Sequence, residues 1–92
     1  MTGEITNWTT ENVIAVMRDL AANEDLPAHL VSGEIKGTDT VDTLGIDSLG
    51  GAFLIERFEE LSGVLMPDDF LDLKDDVAAI AARLNELVAK GG

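Results

Sequence analysis

The sequence predicts an all-α fold on three observations. Apolar residues recur at helical spacing in three separate segments. Each of these segments opens on a residue suited to a helix N-terminus. No segment alternates apolar and polar residues as a half-buried strand would. The expected architecture is a small bundle of three longer helices, one or two short helical turns and a long first loop.

Residues 1–7 are polar and expected to be loose. With Thr9 as N-cap, Trp8 and Val13 take the two staple positions of the first helix. Val13, Val16, Met17, Leu20 and Ala21 fall on one face, Arg18 and Asp19 face away, and the helix should stop near Asn23 or Glu24. Residues 25–46 form a long connection in which Leu26-Pro27 starts one short helical turn and Gly33 ends it. Leu30, Val31, Ile35, Val41, Leu44 and Ile46 punctuate this loop as anchors to a core, and a connection this long is often functional.

Asp47 reads as the N-cap of a second helix running from about Ser48 to Leu61, with Gly63 as its stop. Gly51, Leu54, Ile55, Phe58 and Leu61 gather on its core side. Leu49, Ala52, Phe53, Glu56, Glu59 and Glu60 lie opposite, so the outward face is apolar near Ser48 and acidic further along. Pro67-Asp68-Asp69-Phe70-Leu71 suggests one short turn of helix. The last helix begins near Asp75 or Asp76, carries an apolar stripe of Val77, Ile80, Ala81, Leu84, Leu87 and Val88, and ends near Lys90, with residues 89–92 loose. There is no internal repeat or domain boundary, and residues 1–92 read as one domain.

Composition narrows the functional classes. Eighteen acidic and six basic residues give a net charge of −12. Such a field repels nucleic acid and anionic membranes and attracts partners with basic surfaces. The absence of cysteine removes disulfides, thiolate metal sites and thiol chemistry by the protein's own side chains. No apolar run is long enough to span a membrane, and the N-terminus has no basic-then-apolar signal pattern, so a cytoplasmic, membrane-free monomer is the expectation.

One stretch concentrates the remaining chemistry: Leu44-Gly45-Ile46-Asp47-Ser48-Leu49. It places a serine hydroxyl at a helix start, beside free backbone N–H groups and the positive end of the helix dipole. A phosphate is well held there, whereas no base stands in sequence view to make the serine a nucleophilic catalyst. The pattern is that of a serine that is modified rather than one that catalyses. His29, the sole histidine, reads as a loop residue, and Trp8 as a staple rather than a binding platform. The pairs Asp68-Asp69 and Asp75-Asp76 read as helix initiators, and no metal site is expected. A calcium loop counted from Asp39 fails, because its glycine and final glutamate positions hold Leu44 and Gly50. The terminal Gly91-Gly92 raises a conjugated modifier as an alternative, but such folds need strands and this chain reads helical.

The order helix, long loop, Asp-Ser-Leu, helix, turn after a proline, helix resembles the acyl carrier protein family, from about Trp8 to Val88. The resemblance centres on residues 44–49 and continues through Phe58-Glu59-Glu60-Leu61, Met66-Pro67-Asp68-Asp69 and Val77-Ala78-Ala79-Ile80. It implies a non-enzymatic carrier whose Ser48 bears 4′-phosphopantetheine, attached from coenzyme A by a separate phosphopantetheinyl transferase with Mg²⁺. Asp47 would cap the helix and help present Ser48. The arm's thiol would carry acyl groups as thioesters for fatty-acid, lipid or polyketide biosynthesis. Partners would be acyl-loading, condensing or acyl-transferring enzymes with basic docking surfaces, met by Leu49, Ala52, Phe53, Glu56, Glu59 and Glu60. The chain departs from the familiar fatty-acid carriers at Gly50-Gly51-Ala52-Phe53, where those proteins place polar or acidic residues and a valine, and at Glu56, where an apolar residue is usual. These departures suggest a specialised carrier. An aminoacyl, peptidyl or D-alanyl carrier is the nearest alternative, and a helical interaction protein without a prosthetic arm is the alternative outside the class.

Overall fold

Three capped helices are the frame of the molecule, whose computed structural model describes residues 7–67 and 69–90. Helix α1 spans Thr10–Ala22. The Thr9 hydroxyl accepts the Asn12 N–H at 3.1 Å, and the Asn12 side chain accepts the Thr9 N–H at 3.1 Å, closing a reciprocal capping box. All five residues of the expected apolar face are buried. The helix ends in a Schellman arrangement: Glu24 N–H donates to Ala21 O and Asp25 N–H to Leu20 O. Glu24 holds the left-handed conformation there (φ 68°), a place glycine normally takes.

The first loop contains a single 3₁₀ turn, Ala28–Leu30, entered from Pro27. Leu30, Ile35, Val41, Leu44 and Ile46 are buried as expected, whereas Val31 is 44% exposed and anchors nothing. Arg18 does not face away. Its Nη1 reaches the carbonyls of Leu30, Val31 and Gly33 at 2.9–3.3 Å, because a guanidinium is well placed to satisfy carbonyls left open at the end of a short turn.

Helix α2 spans Ser48–Ser62, and Gly63 closes it in the left-handed conformation (φ 74°). Helix α3 spans Val77–Ala89, capped by the Asp76 carboxylate on Ala79 N–H at 2.7 Å and ending at Lys90. Between them, the expected helical turn at 67–71 is replaced by an irregular strap. Only the Phe70 N–H to Pro67 O bond remains of it, and Asp68 lies outside the described residues. The first loop is laced to the strap and to the start of α3: Val41 N–H donates to Asp75 O and Asp42 N–H to Leu73 O, while Val77 N–H donates to Asp39 O and Ala78 N–H to Gly37 O. Loop backbone satisfied in this way can lie against a core without orphaned polar groups. The described residues hold no strand, only one isolated bridge, Thr40 to Asp76.

Phe58, fully buried, sits at the centre of the core. Its ring meets Trp8 edge-on at 5.5 Å and Phe70 at 6.3 Å, tying the chain start, α2 and the strap into one cluster. Trp8 is fixed from α3, since Asn85 accepts its backbone N–H at 2.6 Å and donates to its backbone carbonyl at 2.8 Å. No helix among the described residues is long and apolar enough to cross a membrane.

Among the described residues, ion pairs engage Asp19, Glu60 and Asp75 with two arginines. The negative excess of 12 charges is thus left to repel itself across a small surface. Raising ionic strength from low to moderate at neutral pH should therefore raise the melting temperature, since a shorter Debye length weakens that repulsion. A midpoint that does not move with salt would show that the charge excess has no hold on stability.

Candidate functional site

The approach to Ser48 is set by two short-range devices. Gly45 turns the chain with φ 78°, a conformation a side chain would strain, and its N–H returns to Asp42 O. His29 Nε2 lies 3.1 Å from the Leu44 carbonyl. A carbonyl only accepts, so Nε2 carries the hydrogen. The sole histidine is thereby committed to holding the loop that leads into α2.

Asp47 then stops the loop in an extended conformation (φ −88°, ψ −174°), and its Oδ1 accepts Gly50 N–H at 2.8 Å. Its carbonyl accepts Gly51 N–H at 2.8 Å. Asp47 thus engages the N–H groups of Gly50 and Gly51. Those of Ser48 and Leu49, the first two of the helix, have no carbonyl one turn behind them to bond. Ser48 itself is exposed on the first residue of α2. An anion on its hydroxyl would gain about 0.3–1 kcal/mol from the helix dipole.

The two adjacent glycines differ in kind. A Cβ at Gly50 would stand 2.8 Å from Leu26 Cδ2 and 3.2 Å from Ile46 Cγ2, so α2 presses its buried N-terminal turn directly against the first loop. A Cβ at Gly51 would find nothing nearer than Leu71 Cδ1 at 3.9 Å, ordinary van der Waals contact. Packing favours glycine at the first position, since a Cβ there would push the end of the Leu26 side chain aside. It does not require the second, which costs about 1 kcal/mol relative to alanine in a helix interior.

Gly51 borders an open groove of about 930 Å³ between α2 and the strap, a volume in the range of small-molecule sites. Ser48, Gly51, Ile55 and Glu59 follow one another at three- and four-residue steps and form its helical wall. Met66, Leu71 and Leu73 form the wall of the strap, and Val41 and Ile46 extend the lining from the first loop. Asp42, Asp47, Glu56, Glu59 and Asp72 supply its charged groups, and no lysine or arginine lines it. Glu59 also fastens one end of the strap by accepting Met66 N–H at 2.9 Å. Arg83 fastens the other, donating to Phe70 O at 2.6 Å and, through both terminal nitrogens, to Asp75 at 2.6 and 3.1 Å. That fork of hydrogen bonds from Arg83 holds the Asp75 carboxyl below the ordinary carboxylate range, and Asp75 in return raises the guanidinium.

The expected docking face divides accordingly. Leu49 stands 63% exposed beside Ser48, and Ala52 and Glu56 are exposed along the groove. Glu60 is exposed and pairs with Arg57 at 3.4 Å. Phe53 is not an outward ring: it is half-buried and packed against the core. The reason is the seat of Gly50, which turns the buried arc of α2 toward residues 50, 54 and 58 and draws Phe53, three residues beyond Gly50, in with it. The same rotation leaves Gly51 and Ile55, expected in the core, half-buried on the groove. The groove itself had no expectation behind it. Its only sequence signal is the helix-weakening glycine at 51 with Ile55 one turn on, facing Leu71 and Leu73 after a proline.

Of the aspartate pairs, Asp76 caps α3 and Asp75 binds Arg83, whereas Asp69 stands exposed in the strap and starts no helix. Among the described residues no three histidine or carboxylate groups gather into a possible metal site. Gly91-Gly92 lie outside the described residues. Set against protein-family models, curated proteins and solved structures, the chain finds no match in any of the three.

Proposed function

We propose that this chain is a carrier protein of the acyl-carrier type, with Ser48 as the attachment site of a 4′-phosphopantetheine arm. The observation that carries the reading is the placement of Ser48: exposed, first in a helix capped by Asp47, and on the rim of a largely apolar groove. In the attachment step Ser48 Oγ forms a bond to the phosphorus bearing the pantetheine of coenzyme A. The pyrophosphate P–O bond breaks, adenosine 3′,5′-bisphosphate leaves, and a base of the transferase takes the serine proton. The transferase supplies that base and its Mg²⁺, which suits a chain whose sole histidine is engaged elsewhere. The arm brings the thiol that a cysteine-free protein lacks. Covalent tethering keeps the cargo at high effective concentration before a docked enzyme.

The carrier serves acyl intermediates of fatty-acid, lipid or polyketide type, handed between enzymes whose basic surfaces meet Leu49, Glu56 and the other carboxylates of α2. A second reading, an aminoacyl, peptidyl or D-alanyl carrier, draws support from the groove's charged groups, which are all carboxylates and would favour an ammonium over a carboxylate on the cargo.

The test is attachment itself. The unmodified protein, incubated with coenzyme A, Mg²⁺ and a broad-specificity phosphopantetheinyl transferase, should gain one arm, and Ser48→Ala should gain none while keeping its helical signal. Ser48 is exposed, so the substitution should change stability by no more than about 0.5 kcal/mol. Modification of the alanine variant would refute Ser48 as the site.

A further inference from the structure

We infer that His29 is a positioning residue for arm attachment: by holding the Leu44 carbonyl it fixes the peptide plane between Leu44 and Gly45, and with it the course of the chain into Ser48. The inference rests on the carrier reading of Ser48. The turn that precedes α2 satisfies its own N–H groups. Leu44 N–H donates to Thr40 O, Gly45 N–H to Asp42 O, Ile46 N–H to Val41 O and Thr43 N–H to the Thr40 hydroxyl. The Leu44 carbonyl is different. Leu44 is 4% exposed, and among the described residues no backbone N–H reaches its oxygen. Its partner is His29 Nε2 at 3.1 Å, from the 3₁₀ turn 15 residues earlier. A buried carbonyl without a partner costs free energy comparable to a lost hydrogen bond. The Leu44–Gly45 peptide is thus tied at both ends, its N–H to Asp42 O and its C=O to His29. Turning that rigid plane changes ψ of Leu44 and φ of Gly45 together. Glycine takes positive and negative φ about equally readily, so residue 45 does not itself select the observed 78°. The bond from His29 does. Only Ile46 and Asp47 separate this plane from Ser48. A turned plane strains the buried seat of Ile46 and the Asp47 cap, the two contacts that orient the first turn of α2. His29 is itself exposed, and among the described residues the Leu44 carbonyl is its ring's sole hydrogen-bond partner.

The parent, His29→Ala and His29→Gln are compared by two readouts, one of which needs no transferase. Glutamine keeps an N–H donor on a side chain of similar reach. In amide hydrogen exchange, the Gly45 N–H should be protected in the parent, lose about three- to tenfold of that protection in His29→Ala, the range one hydrogen bond gives, and regain it in His29→Gln. In arm attachment from coenzyme A with Mg²⁺ and a broad-specificity transferase, the single-turnover rate at saturating carrier should fall in His29→Ala by a similar factor and recover in His29→Gln. The carrier concentration that gives half that rate should stay within about twofold of the parent's, because the outward face of α2 is untouched. Equal Gly45 protection in His29→Ala overturns the inference, as does an attachment rate that does not fall with it. So does an equal loss in His29→Gln, since the donor is then not what counts. A loss confined to the half-saturating concentration overturns it by making His29 a transferase contact, and a His29→Ala chain that fails to fold does so by giving the histidine to the fold as a whole. A parent that accepts no arm refutes the carrier reading and this inference with it, whereas a parent that accepts the arm alongside any of the other outcomes overturns the inference alone.

Discussion

Phe58→Ala is expected to remove about 3–5 kcal/mol of stability, the usual cost of deleting a fully buried ring. Phe58 has no exposed surface and touches both Trp8 and Phe70 edge-on. Its loss opens a cavity where the chain start, α2 and the strap converge, and none of the three can follow the others inward, since Trp8 is held by Asn85 and Phe70 by Arg83. For a domain of this size the midpoint should fall on the order of 20 °C. Phe53→Ala should cost less, about 1–2 kcal/mol, since that ring is half-buried at the edge of the same core. Thermal melts of the two variants decide it. Equal destabilisation would show that α2 has no preferred core stripe, and an unchanged midpoint for Phe58→Ala would remove the aromatic centre from the account.

The second large effect concerns the strap. Arg83→Ala deletes the bond to Phe70 O, the fork on Asp75 and a guanidinium 5.8 Å from the centre of the Phe70 ring. Hydrogen bonds to charged groups contribute about 1.5–3 kcal/mol. The Arg83 side chain is 39% exposed, which brings the expected loss for the whole clasp to about 1–2 kcal/mol after solvent screening. The effect carries a pH signature. Arg83 holds the carboxyl of Asp75 below its ordinary range in the folded chain, so on acidification the unfolded chain takes up that proton first. The contribution of the pair is complete above about pH 5 and drains away as the pH falls below about 4, through the depressed value. The gap between urea titrations of parent and Arg83→Ala should therefore narrow at the acid end, leaving the part that belongs to the Phe70 carbonyl and ring. A gap that stays constant into acid would show that the ion pair is not what Arg83 contributes.

How far the sequence could be read follows from how local each feature is. Thr9, Asp47, Asp76 and Gly63 work within one helical turn, and each stands in the structure where its residue type directs it. Glu24 is as local but was opaque, because a glutamate in the left-handed stop position breaks the residue preference that would reveal it. The stripes of α1 and α3 were legible because each helix packs on one side. Helix α2 stands a fraction of a turn out of phase with its expected stripe, because Gly50, without a side chain to register on a helical wheel, is buried against the first loop. The strap departs from its expected helical turn for a different reason. Its form is decided by backbone bonds to the first loop, between residues more than thirty positions apart, such as Asp42 and Leu73, and by Arg83 reaching Phe70. No local pattern encodes those partners. The groove is the product of the last two effects, a rotated helix wall facing an irregular strap, so neither wall was visible in the sequence even though Ser48 on its rim was.

The central claim is that Ser48 carries a phosphopantetheine arm, and it is met most directly by the intact mass of the protein isolated from its own host, followed by peptide mapping of residues 44–61. The account predicts the mass of the chain plus one phosphopantetheine, with or without an acyl or aminoacyl group, and places the whole increment on the peptide containing Ser48. A chain at its bare sequence mass, or one whose increment sits at Gly92 instead, would contradict it.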